Sequence, residues 1–358
     1  MMKTITLVSL GKRQADQAEL HRQEAADQCM RVSLYGDMLN SDLLDERFLD
    51  RVPRIRRLLY KPLPGPVSQV LEAFLVKERY DAVISWSEHL GLPFAMLLKL
   101  TRSRVPHVAI FSWISKPKKA ILLRLVQRHI SHLILMSSVQ RDFAVNDLGI
   151  PPSKITLLRW SVDQEFWRPM NTEADMICAV GGEMRDYGTL ITAIRDLSIR
   201  CHIAASGTVP GKKDKWIKAI EEASPLPPQI TVGKKNLVEL RNLYARSHFV
   251  VIPLLPTDTD NGTTSILEAM AMGKAVICSR VAGQRDIIQD GKTGIFVTPQ
   301  DPEALHEGIQ YLLKHPEVAE RMGREGRKHI EQHHTFDKWV GEVRRVVEEV
   351  ISEKVRDN

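Results

Sequence analysis

The sequence has few cysteines and no pairing pattern among them. Only four occur in 358 residues, and they lie far apart, at Cys29, Cys178, Cys201 and Cys278. Three of them fall in or beside strand-like apolar runs, so we expect buried free thiols rather than disulfides or zinc ligands. This pattern favours a cytoplasmic protein.

Long apolar runs and aromatic residues are also scarce. The longest apolar runs fall well short of the roughly 18–20 residues that a membrane-spanning helix needs. Aromatic residues make up 6% of the chain and do not interleave with its basic clusters, which argues against a nucleic-acid partner. The net charge of +6 still suits an anionic partner of another kind.

The sequence does contain a regular alternation of strand-like and helix-like segments. A chain of 358 residues is too long for one ordinary core and suits two domains. The alternation predicts the α/β class, with parallel sheets joined by right-handed crossovers. In the first half, residues 32–35 predict a second strand, whereas residues 37–63 show no clean period.

The best-defined α/β unit spans residues 249–278. An apolar run predicts a buried strand, a polar loop follows, and residues 265–272 predict a helix that Gly273 ends before the next strand. In such units ligands lie at the carboxyl ends of the strands, where helix amino termini favour negative charge. We therefore expect an anion site built from Asn261, Gly262, Thr263, Thr264 and Ser265.

Two carboxylates frame this loop, eight positions apart. Asp260 stands before the loop and Glu268 stands inside the helix. Glu268 has two interpretations. It is a ligand-binding carboxylate, or it pairs with Ser265 in a capping box and only stabilises the start of the helix.

Residues 267–277 read Leu-Glu-Ala-Met-Ala-Met-Gly-Lys-Ala-Val-Ile. With Asp260, this string resembles the donor-site signature of retaining glycosyltransferases of the GT-B fold, family four, also called group 1 glycosyl transferases. The departures are Asp260 for the usual Glu, Ala275 for the usual Pro, and Asn-Gly-Thr at 261–263 for the usual Gly-aromatic-Gly. The resemblance is specific in the carboxyl half and weak in the amino half.

The resemblance implies an α/β protein of GT-B fold, with two Rossmann-like doubly wound domains facing across a cleft. The expected domains are residues 1–165 on the acceptor side, residues 166–335 for the nucleotide sugar, and residues 336–358 as a helix that crosses back to the first domain. The implied reaction moves a hexose, with retention, from a UDP- or GDP-linked sugar. The acceptor would be a hydroxyl of a glycan, of a lipid-linked compound or of a small molecule.

The resemblance also implies roles for the residues around the loop. Glu268 would receive the ribose hydroxyls, since an acceptor-only carboxylate suits two donors. Asp260 would approach the transferred sugar, and the amides of residues 262–265 would cradle the diphosphate. No cofactor and no metal are expected, because the helix dipole and basic side chains can stabilise the departing diphosphate.

Arg185 is the candidate cation on that leaving group. It lies in the loop that opens the second domain with Gly181 and Gly182. The family normally places an Arg and a Lys in this loop, and the matching Arg position is Gly182 here. A surface role for Arg185 is the alternative.

The amino half departs from the family at two points. The glycine-rich loop after the first strand is represented only by Gly11. The His that the family often places after a strand of the first domain is replaced by Ser112, with His89 and His107 nearby in sequence. Another residue does the work of that His, or the substrate preference differs.

Two further hypotheses remain from the sequence. One is a GT-B protein without catalysis that acts as a nucleotide-sugar-binding or regulatory partner. The other concerns residues 116–128, where five basic side chains stand among apolar ones. They predict a helix that lies on an anionic membrane, at the inner membrane face, or an ordinary domain helix whose apolar side packs on the sheet.

Overall fold

The computed structural model describes residues 2–9, 17–205 and 215–357. The chain forms two compact units. The first comprises Met1–Ala26, Arg31–Arg159 and Asp337–Asn358, and the second comprises Asp27–Met30 and Trp160–Phe336. Gly11, which the sequence singles out, lies outside the described residues.

The first unit is built on a six-stranded parallel sheet of order β2-β1-β3-β4-β5-β6. Its strands are β1 (Thr4–Leu7), β2 (Ser41–Leu44), β3 (Ala82–Trp86), β4 (His107–Phe111), β5 (His132–Leu135) and β6 (Ile155–Leu157). Its first helices are α1 (Gln17–Ala25), α2 (Ser33–Leu39), α3 (Phe48–Arg51), α4 (Arg54–Tyr60), α5 (Gly65–Val76), α6 (Glu88–Thr101), α7 (Pro117–Val126) and α8 (Ser138–Asn146). Short 3₁₀ turns follow α5, α7 and α8 at Lys77–Arg79, Gln127–His129 and Pro152–Lys154.

The second strand is not where the sequence predicts it. Residues 32–35 enter helix α2, and the strand that pairs with β1 is Ser41–Leu44. The strand is only half buried and half polar, with Ser41 and Asp42 before two leucines, so its sequence has no strong strand signal. By contrast, β3 and β4 are buried on both faces and mostly apolar, with Ser85 and His107 as the polar exceptions, as is typical of central parallel strands.

The second unit has a parallel sheet of order β12-β11-β10-β7-β8-β9. Its strands are β7 (Met176–Val180), β8 (Arg200–Ala204), β9 (Ile230–Val232), β10 (Ser247–Ile252), β11 (Ala275–Ser279) and β12 (Gly294–Val297). Its helices are α9 (Tyr187–Ala193), α10 (Lys215–Glu222), α11 (Leu237–Ala245), α12 (Thr263–Ala271), α13 (Pro302–Lys314) and α14 (Pro316–His333).

The last helix, α15 (Phe336–Asp357), packs in the first unit from Asp337 onward. Its Trp339 stacks on Trp86 with ring centroids 4.9 Å apart. Arg31 forms an ion pair with Asp337 at 3.1 Å. These contacts tie the end of the chain to the sheet of the first unit.

The cysteine prediction is confirmed for three of the four residues. All four are free thiols, and Cys178, Cys201 and Cys278 are buried. Within the described ranges, no helix is both long and apolar enough to cross a bilayer.

Candidate functional site

The strand order of the second sheet changes direction between β7 and β10. From β7 the chain builds outward through β8 and β9, and it then returns to place β10 on the other side of β7. Loops that leave the carboxyl ends of two such strands diverge and open a crevice for ligands. The loops in question are residues 181–186 after β7 and residues 253–262 after β10. All ten site residues predicted from the sequence lie in these two loops or in α12, which directly follows the second loop.

The two loops are joined to each other by main-chain hydrogen bonds. Arg185 and Leu254 form an isolated antiparallel bridge. The amide of Leu255 donates to the carbonyl of Met184 at 2.9 Å, and the amide of Asp186 donates to the carbonyl of Pro253 at 3.0 Å. Groups carried by the two loops are therefore held in a fixed relation.

The guanidinium of Arg185 lies between these loops. Arg185 is only 5% exposed, so the surface role is wrong. Its Nε donates to the carbonyl of Val180 at 2.7 Å, and Nη1 donates to the carbonyl of Glu183 at 2.8 Å. Its Nη2 donates to Oγ of Ser265, in the first turn of α12, at 3.3 Å. A permanent positive charge is thus fixed beside the amino terminus of this helix.

Gly181 leaves room for that guanidinium. Its φ of +103° is a conformation that L-residues rarely adopt, and a Cβ there would lie 2.2 Å from Nη2 of Arg185. Gly182 is buried next to it. Gly181 therefore lets the backbone approach the arginine closely.

We expect Gly181→Ala to destabilise the protein more than its backbone conformation alone explains. Gly291 provides the matched control in the same unit, since its φ is +73° and no atom lies within 4 Å of the place that a Cβ would occupy. Gly291→Ala should cost about 1–2 kcal/mol from strain alone. Gly181→Ala should cost about 2–4 kcal/mol, since Arg185 must also move. Equal midpoints of urea unfolding for the two variants would contradict this close packing.

Helix α12 begins earlier than the sequence predicts. Its first residue is Thr263, and Gly262 occupies the N-cap position with φ +94° and no side-chain cap hydrogen bond. Ser265 is therefore the third helical residue, and the capping-box interpretation of Ser265 and Glu268 is wrong. The amide of Thr263 donates to the carbonyl of Asp260 at 3.2 Å. Within the described part of the chain, the amides of Thr264 and Ser265 have no acceptor, as expected for the first turn of a helix.

Glu268 lies in the second turn of α12 and is 7% exposed. The hydroxyl of Tyr244, on α11, donates to its Oε2 at 2.8 Å. Burial raises the pKa of Glu268 to about 7, and the hydrogen bond from Tyr244 and the charge of Arg185 partly oppose that rise. The Glu268 carboxyl group therefore changes its charge near neutral pH, and the buried hydroxyl of Tyr244 fixes its orientation.

Asp260 is half-buried at the end of the second loop. Its Oδ2 accepts a hydrogen bond from the indole N–H of Trp160. With Asp258 it has the Asp-x-Asp spacing of some metal-binding pairs, so an argument for metal independence from the lack of such a pair is wrong. No group of three metal-ligating side chains occurs among the described residues. Metal independence therefore stays a prediction to be tested.

The sequence did not predict a role for Gln284, which follows β11 and forms hydrogen bonds with the loop before α12. Gln284 is buried, and its Nε2 donates to the carbonyl of Asn261 at 2.8 Å and to Oγ1 of Thr263 at 2.7 Å. A Cβ at the preceding Gly283 would lie 1.6 Å from the carbonyl oxygen of Thr259. The one signal in the sequence is Gly283 itself, which begins a downstream run, to residue 297, that also resembles group 1 glycosyl transferases. The side chain of Asn261 also points into the loop, where it accepts from the hydroxyls of Thr257 and Thr259.

In the first unit, the loop after β4 is held by a buried carboxylate that the sequence did not suggest. Oε1 of Glu88 accepts from the amides of Ser112 at 2.8 Å and Trp113 at 2.5 Å, and Oε2 accepts from Lys119 at 3.1 Å. The amides of residues 114 and 115 donate in turn to the amide oxygen of Gln140. The loop around Ser112 is therefore fixed by side chains from three helices.

The two histidines near Ser112 in sequence differ sharply. His107 is fully buried within β4, its Nε2 lies 2.8 Å from Oγ of Ser85, and burial lowers its pKa to about 3. It therefore cannot face a ligand. His89 is exposed on the first turn of α6, beside Ser87, whose φ is +119°.

Solved glycosyltransferase structures match nearly the full length of the chain. Sucrose-phosphate synthase from Thermosynechococcus elongatus matches with a TM-score of 0.75 and 15% identity, over 99% of this chain and 100% of that one. HepE from Anabaena in complex with UDP-glucose matches with a TM-score of 0.69 and 15% identity, over 99% and 100% of the two chains. These likenesses show the predicted GT-B fold, with its two parallel six-stranded sheets.

The match to a family model lies within the second unit. Residues 177–329 match the family model described as Glycosyl transferases group 1. The sulfoquinovosyl transferase of Arabidopsis thaliana is 25% identical over 308 residues, which cover 81% of this chain and 56% of that protein. The chain spans 44–65% of the length of the first three curated relatives it matches.

Proposed function

We propose that this protein is a retaining glycosyltransferase. It would move a hexose from a nucleotide-diphosphate sugar to an acceptor hydroxyl of a glycan, a lipid-linked compound or a small molecule, without a metal. One observation carries the proposal: a buried carboxylate and a buried arginine flank the open first turn of α12 at the point where the strand order reverses. The match of residues 177–329 to group 1 glycosyl transferases supports it.

Each part of the site has a role in this proposal. The carboxylate of Glu268 accepts hydrogen bonds from the ribose hydroxyls, with Tyr244 holding its other oxygen. The amides of the first turn of α12 bind the diphosphate, whose negative charge the helix dipole favours. Arg185 offsets the charge that develops on the diphosphate as the glycosidic bond breaks. Asp260 lies beside the transferred sugar.

A uridine diphosphate sugar is the first donor to test, with the GDP-linked sugars next. HepE, whose fold this chain shares, is described in complex with UDP and with UDP-glucose. The binding energy of a correct donor should appear as thermal stabilisation, since a ligand that binds only the folded state raises the melting temperature. A panel of UDP-, GDP- and ADP-sugars therefore identifies the base.

We expect the stabilising donor to be slowly hydrolysed, and we expect EDTA to leave the rate unchanged. Proton NMR of the first sugar anomer released reports retention or inversion. The matched variant is Asp260→Asn, which should lose turnover while it keeps nucleotide affinity. If EDTA abolished turnover and Mg²⁺ or Mn²⁺ restored it, the proposal that the reaction needs no metal would be wrong. Binding without any turnover, in the presence of candidate acceptors, would favour the binding-partner alternative instead.

A further inference from the structure

The positive charge of this protein is concentrated in one segment of the first unit. Residues 51–130 contain fifteen Lys and Arg but only four Asp and Glu, a net charge of +11, whereas the whole chain carries +6. Two of the four acids, Glu72 and Glu88, are buried in ion pairs with Arg56 and Lys119. The surface of this segment is therefore strongly basic.

The same segment exposes most of the large apolar side chains found on the described surface. Nine of thirteen lie within it: Ile55, Leu58, Leu59, Leu63, Val67, Leu75, Leu100, Ile121 and Leu125. The densest group is on α4, where Ile55, Leu58 and Leu59 are 75%, 71% and 66% exposed. Their spacing of three and four residues puts them on one face of the helix.

The apolar face of α4 does not pack against the other described residues of the first unit. The helix is attached through Arg56 and Tyr60, which contact the carboxylate of Glu72 on α5 at 2.6 Å and 2.8 Å. The side chains of Arg54 and Lys61 are exposed beside the apolar face and make no hydrogen bond or ion pair with the described residues. A short helix thus presents three large aliphatic side chains flanked by available cations.

Helix α7 extends this surface in part. Leu123 and Val126 pack into the core, as the ordinary-helix interpretation expects, but Ile121 and Leu125 stay exposed. Right-handed crossovers in one direction along the sheet put α5, α6 and α7 on the same side of it. The apolar and basic side chains of these helices therefore belong to one layer.

We propose that the α4 surface, with Ile55, Leu58 and Leu59 at its centre, docks on an anionic lipid bilayer. Apolar side chains with a basic surround are the combination that inserts at a charged membrane interface. The charge also selects against a second copy of this chain, since two such segments of net charge +11 would repel each other. The inference is independent of the proposed reaction, although it would bring the enzyme to lipid-linked acceptors.

Flotation with lipid vesicles tests the proposal on the full chain. We expect recovery with vesicles of phosphatidylcholine mixed with phosphatidylglycerol, little recovery with phosphatidylcholine alone, and loss of binding in high salt. Leu58→Ser with Leu59→Ser should weaken binding about tenfold or more. Arg54→Gln with Lys61→Gln should weaken it about 25-fold, since each charge near an anionic surface contributes about 1 kcal/mol, or roughly fivefold.

Val232→Ser with Tyr311→Ser is the matched control, since these exposed apolar residues lie in the second unit. It should float like the original protein. Equal recovery with both kinds of vesicle, or unchanged binding of the α4 variants, would overturn the proposal. So would a dimer, measured by light scattering, that the leucine variant converts to a monomer. All variants should keep the melting-temperature response to the donor, so a failure of docking is separable from a failure of the proposed function.

Discussion

Replacing Glu268 with glutamine is expected to weaken donor binding by about ten- to a hundredfold while it stabilises the ligand-free protein above pH 7. A hydrogen bond to a charged group is worth about 1.5–3 kcal/mol, which sets the size of the binding loss. Glutamine has the same shape and still accepts from Tyr244, so the fold is retained. Calorimetry with the stabilising nucleotide sugar and urea unfolding without it measure the two effects.

The stability effect follows from the direction of the pKa shift. The folded-state pKa of Glu268 is raised to about 7 from an ordinary value of 4.5, so the folded protein binds more protons than the unfolded chain between these values. The free energy of unfolding therefore falls as pH rises from 4.5 to 7, by about 1.4 kcal/mol per unit at most. This loss of stability is complete above pH 7. It is absent in Glu268→Gln, because glutamine does not titrate. The two proteins should unfold alike at about pH 4 and below, and should differ by about 3 kcal/mol or less at pH 8.

Donor binding should show the opposite pH dependence in the original protein. The carboxylate is the form that accepts two hydroxyl hydrogens, so affinity for a nucleotide sugar should rise about tenfold per unit up to pH 7 and then level off. The diphosphate diester of a nucleotide sugar does not titrate in this range. A flat profile in the original protein, with unchanged affinity in Glu268→Gln, would remove the main support for the donor site.

Tyr244→Phe tests whether the hydroxyl of Tyr244 acts on Glu268 or whether its ring only fills space in the core. Loss of the phenol removes a hydrogen bond that lowers the pKa of Glu268, so the midpoint of the binding profile should move to higher pH. Tyr60→Phe is the matched control, because Tyr60 donates to the buried carboxylate of Glu72 at the same 2.8 Å in the first unit. Both variants should lose about 1 kcal/mol of stability or slightly more. Only Tyr244→Phe should move the midpoint.

The strand–loop–helix unit at 249–278 could be predicted from sequence because its signals are local. The apolar run of β10, the helix formers of α12 and the terminating Gly273 each act within a few residues. The sequence predicts a start of α12 two residues too late because Ser265 is a common N-cap residue, whereas the cap is Gly262 in a left-handed conformation. A positive φ at the glycine satisfies the turn without any side-chain cap, which the residue types alone do not reveal.

The contacts that complete the site come from residues far apart in the chain. Tyr244 reaches Glu268 over 24 positions, Gln284 reaches Thr263 over 21, and Arg185 reaches Ser265 over 80. Such pairs depend on which strands are neighbours, and a single sequence does not fix that order. Val180 and Glu183 are close to Arg185 in sequence, but its burial also depends on distant partners, Ser265 in α12 and the loop after β10.

Removing the guanidinium of Arg185 is expected to give the largest loss of turnover of any single substitution at the site. In Arg185→Met the positive charge beside the first turn of α12 is gone. The carbonyls of Val180 and Glu183 also lose their charged donor. Loss of one fixed group that stabilises developing charge typically costs about a hundred- to a thousandfold in rate. Two unsatisfied buried acceptors add a stability cost of about 2–4 kcal/mol.

Stability and chemistry can be separated with Arg327. Its Nη1 donates to the carbonyls of Gln164, Trp167 and Ala271 at 2.9–3.0 Å, so it is another guanidinium that ties main-chain segments of the second unit together. Arg327→Met should lose comparable stability, measured by urea unfolding, and keep donor turnover at temperatures where it stays folded. Arg185→Lys should recover part of the turnover lost in Arg185→Met, since the charge returns without the planar fork that reaches three acceptors. If Arg185→Met and Arg327→Met lose turnover equally, Arg185 holds the two loops together but does not act on the leaving diphosphate.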